Sequence, residues 1–264
     1  MSSAIRDVWV LTWRNLLHLR REPARLSDAT VQPVLFTLLF VYVLGAGMVL
    51  PGGGAYKQYA ISGLLAMNLV TSAIGTAVGL ADDLGTGVID RFRTLAMWKP
   101  AVLVGRSVTD IATAALCGGF VVLTGLVIGW RPHAGVLSVA AGLGIFLVFS
   151  YALSWGVGCI GLLTRDAEAS NGIGLVVLFP LAIVSNALVP TQHMPAILRV
   201  IADWNPVSAV TAASRKLLGN PNPSAGSHAW PMQHPVVAAL LWSALLLAIF
   251  APLATRIYRT RTAD

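Results

Sequence analysis

Adjacent carboxylates are the first feature of this sequence whose residue types suggest chemistry. Asp82 and Asp83 together resemble half of the acidic site that holds Mg²⁺ beside a diphosphate. A usable site would need a third carboxylate about one helical turn further along to share the ion. The next acid is Asp90, and no second acidic cluster balances the pair. The spacing therefore argues against metal chemistry.

Motifs for nucleophilic catalysis and ATP hydrolysis are equally incomplete. Ser154 lies in Ala-Leu-Ser-Trp-Gly, which lacks the first glycine of a nucleophile elbow. None of the three lysines follows a glycine, which excludes a phosphate-binding P-loop in this sequence. Cys117 and Cys159 fall inside apolar runs without metal-ligand spacing and are expected to be small buried hydrophobes. We expect no catalytic residue, cofactor or metal in this chain.

Asp110 is the one acid within a strongly apolar stretch, and acids inside a membrane are functional candidates by default. Arg106 lies four residues earlier, so the two side chains can form an ion pair on one helix face. Both residues fall near one end of the stretch, whereas proton-coupled carriers place such groups near the bilayer midplane. The spacing favours a structural anchor over a proton relay.

The composition explains why the motifs of soluble enzymes are missing. Hydrophobic residues make up 56% of the chain, charged residues 11%, and the mean hydropathy is +0.74. A soluble domain carries about 25% charged residues. The net charge of +7 sits in short clusters between long apolar runs, as in membrane proteins. These values exclude a soluble enzyme, a disordered chain and a nucleic-acid-binding protein.

Six apolar stretches are long enough, at about 20 residues, to cross a bilayer. Helices are expected in them, because lipid cannot satisfy free backbone polar groups. The predicted fold is a single all-α integral membrane domain covering residues 1–264. The predicted spans are residues 31–50, 61–80, 108–130, 135–163, 172–189 and 236–254.

The positive charges predict the orientation of these spans. With six spans, both termini lie on one side, and that side carries thirteen of the eighteen Lys and Arg residues. By the positive-inside rule, both termini are therefore cytoplasmic. The five basic residues predicted on the other side are Lys57, Arg131, Arg199, Arg215 and Lys216.

Two segments outside the spans have helical patterns of their own. Residues 1–25 predict an amphipathic helix in the cytoplasmic interface, with a basic flank that only sets topology as the alternative. Residues 190–235 predict two short extracellular re-entrant helices, the first opened by Pro195 and separated from the second by Asn205-Pro206. The second helix is expected to end at Gly219.

A third segment, residues 81–100, links the second and third predicted spans on the cytoplasmic side. Its apolar residues share one helical face, and its charged residues are of both signs. Such a segment suits the docking of a soluble partner, with a solvated connecting loop as the alternative.

This sequence resembles the type-2 ABC exporter permeases, above all their daunorubicin-resistance branch, in two stretches. The first is the loop run Gly87-Val88-Ile89-Asp90-Arg91-Phe92-Arg93-Thr94-Leu95, followed by Met97, residues 101–106 and Asp110. The second comprises Met194-Pro195, Asn205-Pro206-Val207, Arg215 and residues 217–219. One departure is Ala96, where the family commonly has proline, and it leaves the docking register of the loop open.

The resemblance implies a non-catalytic permease subunit of an exporter in the bacterial cytoplasmic membrane. Two permeases, identical or homologous, would form the pathway, and two separate ATPase subunits would bind ATP and Mg²⁺ and dock on the loops. The residues implied in this coupling are Asp82, Asp83, Gly87, Asp90, Arg91, Phe92, Arg93 and Leu95. The cargo would be hydrophobic or amphipathic, either a drug-like molecule or a lipid or glycolipid. A membrane scaffold or assembly protein without transport activity is the alternative.

Overall fold

The computed structural model describes residues 6, 9–13, 23–51, 53–86, 101–164 and 166–261 of the chain. Every regular element in these ranges is helical. The physical reason is that an apolar chain in lipid must satisfy its backbone groups within each segment. The prediction of an all-α protein is confirmed for this part of the chain.

Eight helices of nine or more residues form the described fold. They are α1 (Pro23–Leu39), α2 (Tyr56–Gly85), α3 (Ala101–Val127), α4 (Val136–Thr164), α5 (Ala167–Ile183), α6 (Ala196–Trp204), α7 (Pro206–Leu218) and α8 (Pro235–Arg261). A π-helical turn, Phe40–Leu44, and a short helix, Gly45–Gly47, continue α1. Short turns of helix at Thr191–His193, Pro223–Gly226 and Trp230–Gln233 lie between the later helices.

Five helices in the described ranges are long and apolar enough to cross a membrane, so the chain is a multi-pass membrane protein. These candidate spans are Leu26–Gly47, Tyr56–Gly85, Val104–Val127, Val136–Thr164 and Pro235–Thr260. Helix α5 is also apolar, but its 17 residues give a length of about 25 Å, short of the roughly 30 Å hydrocarbon layer. Where the sequence predicts a span at 172–189, the helix starts earlier and ends at Ile183.

Helix α2 is the centre of the bundle and is buried over most of its length. Helices α3, α4 and α5 pack along it, α8 packs against α4, and α7 contacts α2, α4 and α8. The bundle therefore has two distinct ends. The end that holds Gly85, Ala101 and Thr164 is termed the loop end, and the end that holds Tyr56 and Pro235 is termed the far end.

Two glycines let backbones meet directly. A Cβ on Gly161 of α4 would lie 2.3 Å from the Ala77 carbonyl oxygen of α2. A Cβ on Gly63 of α2 would lie 1.7 Å from the Ala187 carbonyl oxygen. Real side chains do not approach so closely, so these two contacts require glycine, as is common where membrane helices pack.

A short part of the predicted interfacial helix, residues 9–13, is described and is helical. Thr12 is buried, and its hydroxyl donates to the Gly105 carbonyl oxygen of α3 at 3.3 Å. Trp9 and Trp13 stack on each other and remain more than half exposed, as tryptophans at a membrane interface do. The segment therefore contacts the bundle at the loop end.

Candidate functional site

A cavity of about 620 Å³ lies between α1, α2, α3 and α5 and extends from the loop end toward the middle of α2. Its volume is in the range that holds a drug-sized molecule. It forms because α1 packs mainly against α3 and leaves one face of α2 uncovered. Residues that line it include Asp28, Gln32, Phe36, Asn68, Thr71, Ser72, Gly75, Gly79, Asp82, Asp83, Arg106, Thr109, Asp110, Thr113, Asn171 and Leu175.

A polar stripe on α2 forms one wall of this cavity. Asn68, Thr71, Ser72, Gly75 and Asp82 recur at helical spacing and share one face. Polar groups facing lipid are unfavourable, so the stripe indicates a surface that faces water or cargo. Of the residues in this stripe, only Asp82 is predicted from the sequence as a site residue. The signal that reveals the stripe is the 3.6-residue period of polar and small residues inside an apolar span.

The described residues that line the cavity carry more negative than positive charge. Among the described residues that line it are four carboxylates, those of Asp28, Asp82, Asp83 and Asp110, and the guanidinium of Arg106. The predicted pair Asp82 and Asp83 thus lies in the last turns of α2, at the cavity mouth. In the part of the chain that the structure describes, no three His, Cys, Asp or Glu side chains come together as a metal site.

Arg106 and Asp110 form an ion pair in the cavity wall. Arg106 Nε lies 3.5 Å from Asp110 Oδ1, and the two side chains are 14% and 15% exposed. Arg106 Nη2 also donates to the Gly75 carbonyl oxygen of α2 at 2.8 Å. Gly79 leaves room for the guanidinium, since a Cβ there would lie 2.0 Å from Nη2. The pair therefore connects α3 to α2.

The loop residues implied in ATPase coupling lie outside the described residues, and their role stays a prediction. They are Gly87, Asp90, Arg91, Phe92, Arg93 and Leu95. The structure does place the ends of this segment. Helix α2 ends at Gly85, and the Thr86 amide donates to the Asp82 carbonyl oxygen at 2.9 Å. Helix α3 begins at Ala101, so both ends of the segment are near the mouth of the cavity.

The second predicted group of residues lies at the far end, around α6 and α7. Met194 follows a short 3₁₀ helix, and Pro195 stands at the N-cap of α6. Asn205 separates the two helices, and Pro206 opens α7. Gly219 ends α7 in the left-handed conformation at φ +68°, which a glycine adopts without strain. Helix α6 exposes its apolar face, whereas α7 is almost entirely buried.

Asn205 connects α7 to the end of α5. Residues 184–190 leave the helical conformation directly after α5, so carbonyl groups there need other donors. Asn205 Nδ2 donates to the Leu181 and Val184 carbonyl oxygens at 2.7 and 2.6 Å. Its Oδ1 accepts from Val207 N at 2.8 Å and caps α7. One side chain therefore completes the end of one helix and the start of the next.

Arg215 of α7 is completely buried and bonds three backbone carbonyl oxygens. Its Nε donates to Tyr59, Nη1 to Asn186 and Nη2 to Ala187, at 3.1, 3.0 and 2.8 Å. The guanidinium carbon lies 3.5 Å from the centre of the Tyr59 ring, a cation–π contact. Burial lowers the pKa of Arg215, but a guanidinium stays protonated in proteins. The sequence analysis included Arg215 as a family position and assigned it no contact.

Comparison with known proteins identifies the family. Residues 6–218 match the ABC-2 type transporter family. The daunorubicin resistance ABC transporter permease protein DrrB1 of Streptomyces coeruleorubidus is 33% identical, over 99% of this chain and 89% of that protein. The doxorubicin resistance ABC transporter permease protein DrrB of Mycobacterium tuberculosis is 26% identical, over 92% of this chain and 86% of that protein. A putative transport permease, ycf38, of Porphyra purpurea is 26% identical, over 82% of this chain and 75% of that protein.

These matches confirm the family that the loop and the outer stretch predict. The matched range contains the described cavity lining and also Arg215 with its carbonyl partners. The long apolar helices agree with the permease names of the relatives. The chain therefore belongs to the ABC-2 type transporter family and is a transmembrane permease.

Proposed function

We propose that this chain is the permease subunit of a bacterial ABC exporter that moves a hydrophobic or amphipathic cargo out of the cytoplasm. The observation that carries the proposal is the cavity at the loop end, with the polar stripe of α2 along one wall. Empty space inside a helix bundle and polar groups within an apolar span both reduce the stability of a membrane protein. Their presence together is explained if the space receives a cargo molecule.

The cargo that fits this wall is amphipathic and neutral or cationic. Arg106 pairs with Asp110, and the further carboxylates of Asp28 and Asp82 among the described lining residues favour a protonated amine over an anionic headgroup. Phe36 and Leu175 offer apolar contacts in the same cavity. Relatives named for daunorubicin and doxorubicin resistance support a drug-like cargo, and a lipid or glycolipid is the second class.

In this proposal the loop end is cytoplasmic and the far end is extracellular. The distribution of Lys and Arg supports this orientation, with both termini inside. Helix α5 acts as the sixth span, because the partly buried segment 184–190 continues from it and has carbonyl groups bonded by α7. A reporter fused after Asp264 should be cytoplasmic, and one inserted near Ser224 external. The reverse pattern would contradict the orientation.

Energy would come from two separate ATPase subunits that bind ATP and Mg²⁺, and this chain would do no catalysis. The ATPases would dock on the loop of residues 81–100, and a second permease, identical or homologous, would complete the pathway. Asp82 and Arg106 lie near the two ends of this loop and also line the cavity. A movement of the loop would therefore reach the cavity wall directly.

Docking is tested by combining Arg91→Glu with Arg93→Glu. Charge reversal at a contact weakens association, so capture of the ATPase encoded beside this chain should fall about tenfold or more. Membrane insertion should be unchanged. The matched control is Arg199→Glu, an exposed charge reversal on α6 at the far end. Equal capture by the double variant and the control would contradict docking at these residues.

Transport is tested in inside-out vesicles that contain the permease and its ATPase. ATP-driven uptake of daunorubicin is expected, and a fluorescent phospholipid serves as the probe for the second cargo class. Uptake of the phospholipid alone would assign a lipid cargo. If an intact, ATP-hydrolysing complex takes up neither probe, the result would favour the scaffold alternative.

A further inference from the structure

Arg215 joins separate parts of the chain at the far end. Its guanidinium bonds one carbonyl oxygen near the start of α2, that of Tyr59, and two in residues 184–190. Each donor nitrogen has its own acceptor, and these acceptors are carbonyl oxygens rather than carboxylates. The planar fork of an arginine is suited to this task, because its donors are fixed relative to one another.

The contact between residues 184–190 and α2 is made largely through carbonyl oxygens. The Tyr59 hydroxyl donates to the Asn186 carbonyl oxygen, which also accepts from Arg215. The Tyr56 hydroxyl donates to the Leu188 carbonyl oxygen at 2.9 Å. We term this contact the seam. Gly63 of α2 faces the seam without a side chain, so the two backbones touch there.

A seam of this kind can open and close. Hydrogen bonds to carbonyl oxygens can be replaced by bonds to water when a gap forms. Closely interlocked apolar side chains would have to leave a void, which is more costly. The seam also lies between α2 and the end of α5, the same two helices that carry Asn68 and Asn171 in the cavity wall. Between the cavity and the seam, Leu178 and Ala182 of α5 are buried in the same core as α2, so a path from the cavity to the far end requires that these contacts part as well.

We propose that Arg215 is the positioning residue of an outer gate. Its guanidinium holds residues 184–190 against α2 while the exit is closed, and it releases them when α2 and α5 separate. This role rests on the proposed export function, because a gate has meaning only in a transport cycle.

The decisive measurement is amide hydrogen exchange of the wild-type permease in complex with its ATPase. One sample has no nucleotide, and the other is trapped with ATP by a hydrolysis-deficient ATPase. Exchange of the peptide that covers residues 184–190 should be at least about tenfold faster in the trapped complex, because opening exposes its amides. Equal exchange in both samples would mean a static structural contact and would overturn the proposal.

Substitution of Arg215 tests the residue itself. Arg215→Gln should speed exchange of residues 184–190 without nucleotide toward the trapped level, while ATP hydrolysis continues. Arg215→Lys keeps the positive charge but lacks the planar set of guanidinium donors. The exchange rate of residues 184–190 in this variant should therefore lie between the rates in Arg215→Gln and in the wild type. Lys216→Gln is the matched control, because Lys216 is the neighbouring cation on α7 and is exposed. In Lys216→Gln, residues 184–190 should exchange at the wild-type rate.

The outcomes separate the two proposals. Failure of the ATPase to bind the wild-type chain would contradict the export function itself. An assembled, ATP-hydrolysing Arg215→Gln complex with wild-type exchange at residues 184–190 would overturn only the role of Arg215. If Arg215→Gln does not assemble, the test rests on the wild-type complex alone. Exchange of residues 184–190 that is equal with and without trapped ATP would then overturn the gate.

Discussion

The two ends of the bundle both place polar side chains inside an apolar protein, but in opposite environments. In the cavity that extends from the loop end to the middle of α2, Asn68 and Thr71 line open space. At the far end, Asn205 and Arg215 are buried and donate to backbone carbonyl oxygens. A polar residue inside this bundle can therefore either line open space or bond backbone carbonyl oxygens. Its surroundings, rather than its type, distinguish the two.

The far-end network exists because a helix stops inside the bundle. Non-helical backbone is tolerated at membrane depth only where protein or water satisfies its polar groups. Residues 184–190 meet that condition through donors from α7 and the first turns of α2. The far end should therefore respond to substitution by losing stability, and the loop-end cavity by losing transport.

Gly63→Ala should have the largest effect on stability. The added Cβ would lie 1.7 Å from the Ala187 carbonyl oxygen, so the backbones at the seam must separate. Overpacking of this kind costs about 3 kcal/mol. Thermal unfolding of the purified protein in detergent would show the loss. The control is Gly119→Ala, where no atom lies within 4 Å of the new carbon. A Gly63→Ala protein as stable as the control would contradict the tight seam.

Asn205→Ala should be the next most destabilising change. It removes two donations to carbonyl oxygens of the α5 end and the cap of α7. Loss of a cap together with unsatisfied carbonyl groups costs about 2 kcal/mol. The control is Asn222→Ala, which removes one long hydrogen bond, 3.5 Å from Asn222 Nδ2 to the Ala212 carbonyl oxygen. If both variants unfold at the same temperature, Asn205 does not connect the two helices as described.

The Arg106–Asp110 pair should contribute a smaller amount. A double-mutant cycle with Arg106→Gln and Asp110→Asn measures their interaction, and a coupling energy of about 1 kcal/mol is expected for a partly exposed pair. The free energy of unfolding of all four proteins is required. A coupling near zero would mean that Arg106 acts mainly through its bond to the Gly75 carbonyl oxygen.

Asn68→Leu combined with Thr71→Val should change stability least, by less than about 0.5 kcal/mol. Both residues line the cavity, so removal of their polar groups should instead lower ATP-driven daunorubicin uptake about tenfold. Thr255→Val on α8 is the control, because its hydroxyl bonds only within its own helix in the described contacts. Normal uptake by the double variant would mean that the stripe does not contact cargo. The proposed difference between the two ends of the bundle would then be wrong.

Much of the far end could be predicted from local signals in the sequence. Pro195, Asn205-Pro206 and Gly219 bound α6 and α7, because proline and glycine act on their own backbone positions. The early end of α5 at Ile183 could not be predicted in the same way. Residues 172–189 are apolar apart from Ser185 and Asn186, and such a run does not distinguish helix from buried coil. The donors that satisfy the coil come from Asn205 and Arg215, which are distant in sequence.

The sequence by itself determined the membrane class, the all-α fold and the family, because apolar run length, charge placement and loop motif are local properties of the chain. The tertiary structure alone decided which polar residues face the cavity and which bond backbone carbonyl oxygens at the far end. Both kinds occur within apolar or buried helices, and no local pattern records what lies opposite them. Asn68 and Arg215 differ in the neighbours that folding supplies, open space in one case and backbone carbonyl oxygens in the other.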